Sequence, residues 1–219
     1  REKTVKEFWK GIGIYYVFLL KDIPDIEVQE LSGEEEEKYF RCCIVASELG
    51  REILPILWSK FIILTIVKKG IYAPSLIEDV MVNAKTLGIG KDSPVLDLGT
   101  GTGKDTVFPL AYIFGARCVG IEYEEELYWT SLKFLDGFKE RGLGINEANV
   151  QLHRGDYFDF DWSRYDFIYY FSFGSDDEGR IVKKIISELK PGGIFIFYST
   201  GLIRLVKNYP QLFLHFQAE

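Results

Sequence analysis

The stretch VLDLGTGTGKDT, Val95 to Thr106, determines which fold this sequence predicts. It starts as a short apolar run of the kind that forms a buried strand. Three glycines then follow at alternate positions, Gly99, Gly101 and Gly103, and a lysine comes directly after them. Glycine adopts backbone conformations that other residues avoid, and it lets the backbone approach a ligand closely. The stretch therefore predicts a strand that ends in a ligand-binding loop.

Strands and helices alternate along the chain around this loop. Apolar runs bounded by turn residues predict strands at 94–98, 117–122, 149–153, 165–171 and 193–199. Helical patterns lie between them, at 103–114, 124–141 and 176–189. The alternation indicates an α/β fold with a Rossmann-like, mainly parallel sheet and helices on both faces. Ligands bind such sheets at the carboxyl ends of the strands, where the glycine loop lies.

The first seventy residues have no such alternation, and they look helical. Glu34 to Glu37 follow Ser32-Gly33, and negative charge stabilises the first turn of a helix. We therefore expect a helical N-terminal extension at 1–70 and a ligand-binding domain at 71–219. Within the second segment, Ser75-x-x-Glu78 is a capping-box pattern that begins a further helix.

Composition narrows the class of function. The net charge is −7, with 26 basic and 33 acidic residues and no dense basic run, so a nucleic-acid partner is not expected. Three cysteines form neither a metal-binding spacing nor a disulfide framework, which favours a reducing, cytoplasmic setting and no metal. No secretory signal is visible. The long apolar run is interrupted by Pro55, Ser59 and Lys60, which favours a buried helix over a membrane span.

Two other kinds of glycine loop fit the stretch less well. A phosphate-binding loop requires G-x-x-x-x-G-K-[ST], but Leu98 occupies the position of its first glycine and Asp105 that of its hydroxyl. A dinucleotide-binding turn requires G-x-G-x-x-G, but Lys104 occupies the position of its third glycine. Glu122 does lie about twenty residues further on, as the ribose ligand of such a turn would. An oxidoreductase with a nicotinamide cofactor therefore remains an alternative.

Acidic residues at three predicted strand ends favour a cationic nucleoside instead. Asp97 lies near the end of an apolar strand, and burying it without a partner would be costly. A ligand with an ammonium and a sulfonium, such as S-adenosylmethionine, would supply that partner. Glu122 in VGIEY offers two carboxylate oxygens to a ribose. Asp156 in HRGDYFDFD could accept a hydrogen bond from an adenine amino group, with Tyr157 or Phe158 stacked on the ring.

Two further motifs, DFIYYFSFGSDD and LKPGGIFIFYS, complete a family resemblance. In order and spacing, the chain from about Tyr72 to Ser199 resembles the class I S-adenosylmethionine-dependent methyltransferases. The resemblance implies that S-adenosylmethionine is the cofactor. It assigns cofactor binding to Tyr72, Asp97, Gly99, Thr100, Gly101, Gly103, Glu122, Tyr123, Asp156 and Tyr157.

The end of the chain departs from the family pattern. The sheet of this family normally ends with a helix and an antiparallel hairpin formed by its sixth and seventh strands. Only about twenty residues follow Ser199, with LFLHF as one possible strand. We therefore expect the C-terminal strands to be incomplete.

The sequence leaves two methyl acceptors open, a protein lysine and a small molecule. It also leaves open that the protein binds S-adenosylmethionine without transferring the methyl group. The turn Phe171-Ser172-Phe173-Gly174 contains no proline, unlike methyltransferases that act on adenine or glutamine amide. The YAPS turn, with Tyr72, resembles the lead-in of small archaeal protein-lysine methyltransferases. Aromatic side chains suit a lysine, and Tyr170, Phe171 and Phe173 are the candidates, although core packing explains them equally well. No general base is identified, His153 is expected to be structural, and the oligomeric state is open.

Overall fold

The computed structural model describes residues 14–18, 29–64, 77–171, 177–198, 200–206 and 208–217. Seven strands lie in these residues: β1 (Ile14–Phe18), β2 (Pro94–Leu98), β3 (Arg117–Glu122), β4 (Val150–Arg154), β5 (Phe167–Phe171), β6 (Ile194–Tyr198) and β7 (Phe213–Gln217). Six helices accompany them: α1 (Gly33–Leu64), α2 (Ile77–Thr86), α3 (Val107–Phe114), α4 (Glu125–Glu140), α5 (Glu178–Glu188) and α6 (Thr200–Val206). None of the helices in the described ranges is both long and apolar enough to cross a membrane.

The strands form one sheet in the order β4-β3-β2-β5-β6-β1-β7. The five strands from β4 to β6 are parallel, which confirms the predicted Rossmann-like α/β fold. Chain connections run outward from β2 in both directions, so β2 and β5 flank the point where the strand order reverses. Ligands bind open α/β sheets at this point. The glycine loop follows β2 directly.

Residues Ile14–Phe18 are a strand within the segment that the sequence predicts to be helical. β1 lies antiparallel between β6 and β7, with Tyr16 opposite Ile196 on one side and His215 on the other. It therefore occupies the antiparallel position that the family pattern assigns to a strand near the C-terminus. β7 confirms the strand predicted in LFLHF. The antiparallel strand of the sheet therefore comes from the N-terminal part of the chain. The helix predicted in that part of the chain is confirmed by α1.

Apolar residues cover both faces of the sheet, because side chains on neighbouring positions of a strand point to opposite sides. Val95 on β2 and Ile196 on β6 belong to a core beneath α1, α2, α3 and α4. Leu96 on β2 and Phe195 on β6 belong to a second core, which includes the fully buried Trp162. The first of these two faces is the one toward which Asp97 points.

The long helix α1 begins with a capping box that the sequence analysis does not identify. The Ser32 amide donates to Glu35 Oε2 at 2.7 Å, and the Glu35 amide donates to Ser32 Oγ at 3.4 Å. The other Glu35 oxygen accepts from Lys85 Nζ on α2 at 2.8 Å. Together these contacts fix where α1 begins and hold its first turn against α2.

Helix α1 packs closely against α4, and Gly137 makes the approach possible. A Cβ atom on Gly137 would fall inside van der Waals contact of Leu49 Cδ2 and lie 3.0 Å from Leu49 Cδ1. Leu49 is itself buried in the core that α1 and α4 share. A side chain at position 137 would therefore push the two helices apart.

We expect Gly137→Ala to lower the free energy of unfolding by about 1–2 kcal/mol. Overpacking costs about 1–3 kcal/mol, and the better helix propensity of alanine offsets up to about 1 kcal/mol of it. Gly179→Ala on α5 is the matched control, since no atom lies within 4 Å of its added Cβ. That control should leave stability unchanged or raise it. Urea unfolding measures both, and equal effects of the two substitutions would contradict the packing described here.

Candidate functional site

The loop after β2 depends on its three glycines for its shape. Gly99, Gly101 and Gly103 have φ angles of 78°, 58° and 72°, in the left-handed region that side chains disfavour. Gly103 is also short of space, because an added Cβ would lie 2.8 Å from Val107 Cγ2 and 2.9 Å from Phe108 Cε2. This close contact holds the loop against the first turn of α3. The helix predicted from residue 103 begins at Val107 instead, because residues 99–106 form the loop.

The same loop lies on top of the neighbouring strand β3. The amides of Gly99 and Thr100 both donate to the Ile121 carbonyl oxygen, each at 2.9 Å. Beneath them, a Cβ on Gly120 would lie 2.8 Å from Thr100 Cγ2 and 2.9 Å from its hydroxyl oxygen. Gly120 therefore provides the space in which Thr100 sits. The sequence analysis does not single out Gly120, because its role is visible only once β2 and β3 are paired.

Asp97 belongs to a row of residues that crosses the sheet. In the strand register it lies opposite Gly120 on β3 and Tyr169 on β5, and Tyr169 lies opposite Ile196 on β6. Only 5% of the Asp97 surface is exposed. The predicted carboxylate therefore does lie near the end of β2, buried, with Gly120 and Tyr169 opposite it on the two neighbouring strands.

A small pocket, partly open to solvent, lies over this row. Its described lining comes from α2, the start of α3 and the ends of β2, β5 and β6: Val80, Asn83, Asp97, Thr106, Tyr169, Tyr170, Phe171 and Ile196. Asp97, Tyr170 and Phe171 were predicted as site residues. Val80 and Asn83 were missed, because nothing local in the sequence shows that α2 packs over the end of β2.

One oxygen of Asp97 has no hydrogen-bond partner among the described residues. Asp97 Oδ2 is fully buried and accepts no bond. Burial raises the pKa of Asp97 to about 7, the hydroxyls of Thr100 and Thr106 oppose the rise, and the charges of Glu122 and Asp105 add to it. A buried acceptor in a negative environment favours a positively charged group. This arrangement fits the ammonium of S-adenosylmethionine, which the sequence analysis expects here.

Glu122 is buried at the end of β3 and connects two loops. Its Oε2 accepts from the Gly101 amide at 2.8 Å, and its Oε1 accepts from the Glu124 amide at 2.7 Å. Burial raises the pKa of Glu122, while the bonds from the Glu124 and Gly101 amides hold it down. The predicted ribose ligand thus also ties the glycine loop to the start of α4.

The predicted adenine side of the site follows β4, the neighbour of β3. Asp156 Oδ1 accepts from the Phe158 amide at 2.9 Å and so caps the short helical turn Tyr157–Asp159. The Tyr157 ring packs edge-on against Tyr170, with 6.2 Å between the ring centres. Tyr123, by contrast, is 49% exposed and follows Glu122 directly. The ends of β2, β3 and β4 therefore carry Asp97, Glu122 and Asp156 along the same edge of the sheet.

The remaining predicted residues have different outcomes. Tyr72 and Phe173 lie outside the described residues, as do all of residues 172–176. Tyr170 is almost fully buried and Phe171 is half-buried at the end of β5. His153 lies on β4, exposed, with its ring 5.5 Å from that of Phe160 and outside the pocket lining. Within the described ranges, no group of three or more potential ligands could hold a metal ion.

The lysine of the glycine stretch is engaged by its own neighbour. Lys104 Nζ lies 2.5 Å and 2.7 Å from the two carboxylate oxygens of Asp105, and both side chains are largely buried. Burial raises the pKa of Asp105, and Lys104 opposes the rise. An ammonium paired in this way does not point at a phosphate, which weakens the phosphate-loop interpretation further.

We expect Asp97→Asn to stabilise the protein without cofactor, and to do so more as pH rises. Folded Asp97 keeps its proton up to about pH 7, whereas the unfolded group loses it near 3.8, so the wild type loses stability between these values. Three pKa units correspond to a loss of at most about 4 kcal/mol in the free energy of unfolding. The asparagine side chain is neutral at every pH and does not incur this loss. Urea unfolding at pH 4.5, 6 and 8 measures the difference. Asp136→Asn, exposed on α4, is the control, and a difference independent of pH would contradict the expectation.

The chain is similar to several solved structures, and two of the following three are methyltransferases by name. An RNA methyltransferase from Salinibacter ruber with S-adenosyl-L-homocysteine is 23% identical over 54% of this chain and 72% of its own, with a TM-score of 0.45. A mutant of MtNAS in complex with S-adenosylmethionine is 16% identical over 75% of this chain and 59% of its own, with a TM-score of 0.47. The glycopeptide N-methyltransferase MtfA with sinefungin is 21% identical over 57% and 50%, with a TM-score of 0.43. The matches span less than two thirds of the last two structures.

Comparison with families of sequences gives a more specific result. No curated protein sequence matches the chain. The family described as protein-L-isoaspartate(D-aspartate) O-methyltransferase (PCMT) matches residues 64–200, which is more than half of the chain and contains the glycine loop, Glu122 and Asp156. The methyltransferase class and the cofactor expected from the sequence are thereby confirmed. The chain belongs to the PCMT family of methyltransferases and uses S-adenosylmethionine.

Proposed function

We propose that the enzyme methylates an amine, with a protein lysine as the first candidate. In this proposal Asp97 and the glycine loop hold the amino-acid end of the cofactor, Glu122 holds the ribose, and Asp156 with Tyr157 faces the adenine. The buried, unpartnered Asp97 Oδ2 supports the first assignment, because a cation would satisfy it. Tyr72 and Phe173 remain predictions for the cofactor and acceptor sides.

The chemistry of the pocket favours an amine over a carboxylate as acceptor. Its described lining contains no lysine or arginine, and its one charged group is Asp97. A carboxylate acceptor would find no basic side chain in the described lining, and only the positive sulfur of the cofactor would attract it. An amine carries the opposite charge before it reacts. The rings of Tyr169 and Phe171, on the face of the sheet toward which Asp97 points, suit both its ammonium and its apolar stem. The aromatic character of the described lining beside Asp97 is the observation that carries the proposal.

The transfer itself requires little beyond positioning. S-adenosylmethionine supplies a methyl group bound to a positively charged sulfur. The acceptor ammonium would first lose one proton to water. Its neutral nitrogen would then take the methyl group as the carbon–sulfur bond breaks, which leaves the cofactor as a neutral thioether and the product as a protonated, methylated amine. The aromatic side chains at the end of β5 orient the nitrogen and exclude water, and holding the two reactants in line accounts for most of the acceleration.

The family match favours a second acceptor. The family name describes methylation of isoaspartate, which would place the methyl group on a carboxylate oxygen as an ester. The two acceptors give products with different chemical stability, since a methyl ester is hydrolysed by alkali and an N-methylamine is not.

Incubation with S-adenosylmethionine carrying a labelled methyl group tests the acceptor. The substrates are a lysine-rich protein, a peptide containing isoaspartate with its aspartate counterpart as control, and a small-molecule extract. We expect alkali-stable label on the protein, assigned to methyl-lysine by mass. Alkali-labile label confined to the isoaspartyl peptide would overturn the proposal in favour of the ester. Label on small molecules alone, or cofactor binding with no transfer to any acceptor, would also refute it.

We expect Gly120→Ala to weaken cofactor binding tenfold or more while the fold is kept. The added methyl would displace Thr100 and shift the glycine loop above it. Thr100→Ala removes both Thr100 atoms nearest the new methyl, so the double variant should regain most of the affinity. Calorimetric titration with S-adenosylhomocysteine measures the affinity. If Gly120→Ala binds as the wild type does, the loop does not depend on this contact.

A further inference from the structure

The two oxygens of Glu122 have little capacity left for a ribose. A carboxylate accepts about four hydrogen bonds. The Gly101 amide occupies Oε2 and the Glu124 amide occupies Oε1. The Tyr123 amide contributes a further, smaller interaction that lowers the pKa of Glu122. A ribose donates from two hydroxyls, and Glu122 could accept both only by filling the one acceptor position that remains on each of its oxygens.

A second carboxylate, that of Glu124, lies near Glu122 and has one oxygen without a hydrogen-bond partner among the described residues. Glu124 directly precedes α4, and its Oε1 is buried with no hydrogen-bond partner among the described residues. Its charge lies close enough to Glu122 to oppose the ionisation of that group. Asp97 Oδ2, the other buried carboxylate oxygen without a partner in the described part of the chain, belongs to the pocket. A buried acceptor without a partner destabilises the folded protein, which a ligand donor at this point would relieve.

We propose that Glu124 binds the cofactor ribose together with Glu122, each carboxylate accepting from one hydroxyl. This inference rests on the proposed placement of the ribose at Glu122. Because each carboxylate accepts from only one hydroxyl, the Gly101 and Glu124 amides stay bound to Glu122. The glycine loop and the start of α4 then keep their positions when the cofactor binds. Glu124 is then a cofactor-binding residue and takes no part in methyl transfer itself.

The proposal predicts that the contribution of Glu124 depends on one ribose hydroxyl. Calorimetric titration with S-adenosylhomocysteine and its 2′-deoxy and 3′-deoxy analogues measures this for the wild type, Glu124→Gln and Glu125→Gln. Hydrogen bonds to charged groups are the stronger class, so Glu124→Gln should weaken S-adenosylhomocysteine about tenfold. For one of the two deoxy analogues the same substitution should cost twofold or less. Glu125 is exposed and pairs with Arg154, so its substitution should change all three affinities little.

The outcomes separate this proposal from the one on which it depends. An equal loss for all three ligands would overturn the role of Glu124 at the ribose, since lost charge alone would explain it. No loss for any ligand would overturn it too. Glu122→Gln is measured alongside, with thermal unfolding to verify the fold of each variant. If Glu122→Gln also leaves binding unchanged, the placement of the ribose fails; if it weakens binding and Glu124→Gln does not, the Glu124 assignment alone fails.

Discussion

The contact between the glycine loop and β3 is the constraint on which the site depends. Thr100 can lie over β3 only because position 120 has no side chain. The Gly101 amide then reaches the Glu122 carboxylate, and the Glu124 amide reaches the other oxygen of the same group. One buried acid thus holds the turn after β2 and the turn after β3 in a fixed relation. The proposed cofactor site is the space that these two turns define.

The same arrangement explains why the site destabilises the protein that contains it. Asp97, Glu122 and Asp105 are all acids whose pKa burial raises. Lys104 compensates Asp105 and backbone amides compensate Glu122, but Asp97 Oδ2 has no partner among the described residues. A bound cation would give Asp97 Oδ2 the partner that it lacks. The unpartnered carboxylate therefore lowers the stability of the protein without cofactor and, for the same reason, favours binding of a cationic cofactor. Removing the charge should improve stability at the expense of binding.

Local sequence predicts the parts of this site that each strand carries by itself. The apolar run before Asp97, the glycine spacing and the position of Glu122 are all properties of short stretches. Gly120, Val80 and Asn83 were not predicted, because they matter only through pairing or packing with residues distant in the chain. The partners of Glu122 could not be predicted for the same reason, since the Gly101 amide lies twenty-one positions away. Segments with a continuous apolar run or a helical period were predicted well, and contacts across the sheet were not.

The position of β1 shows how far long-range pairing can override a local interpretation. An antiparallel strand cannot be inferred from a short apolar segment whose partners, β6 and β7, lie near the other end of the chain. Without β1, β6 and β7 would each present an unpaired row of backbone groups, which sheets avoid. β6 also carries Ile196, which lines the pocket and lies opposite Tyr16 of β1 in the register. The strand that carries Ile196 is therefore paired with residues outside the region that matches the family, and the N-terminal segment contributes to the same sheet as the pocket.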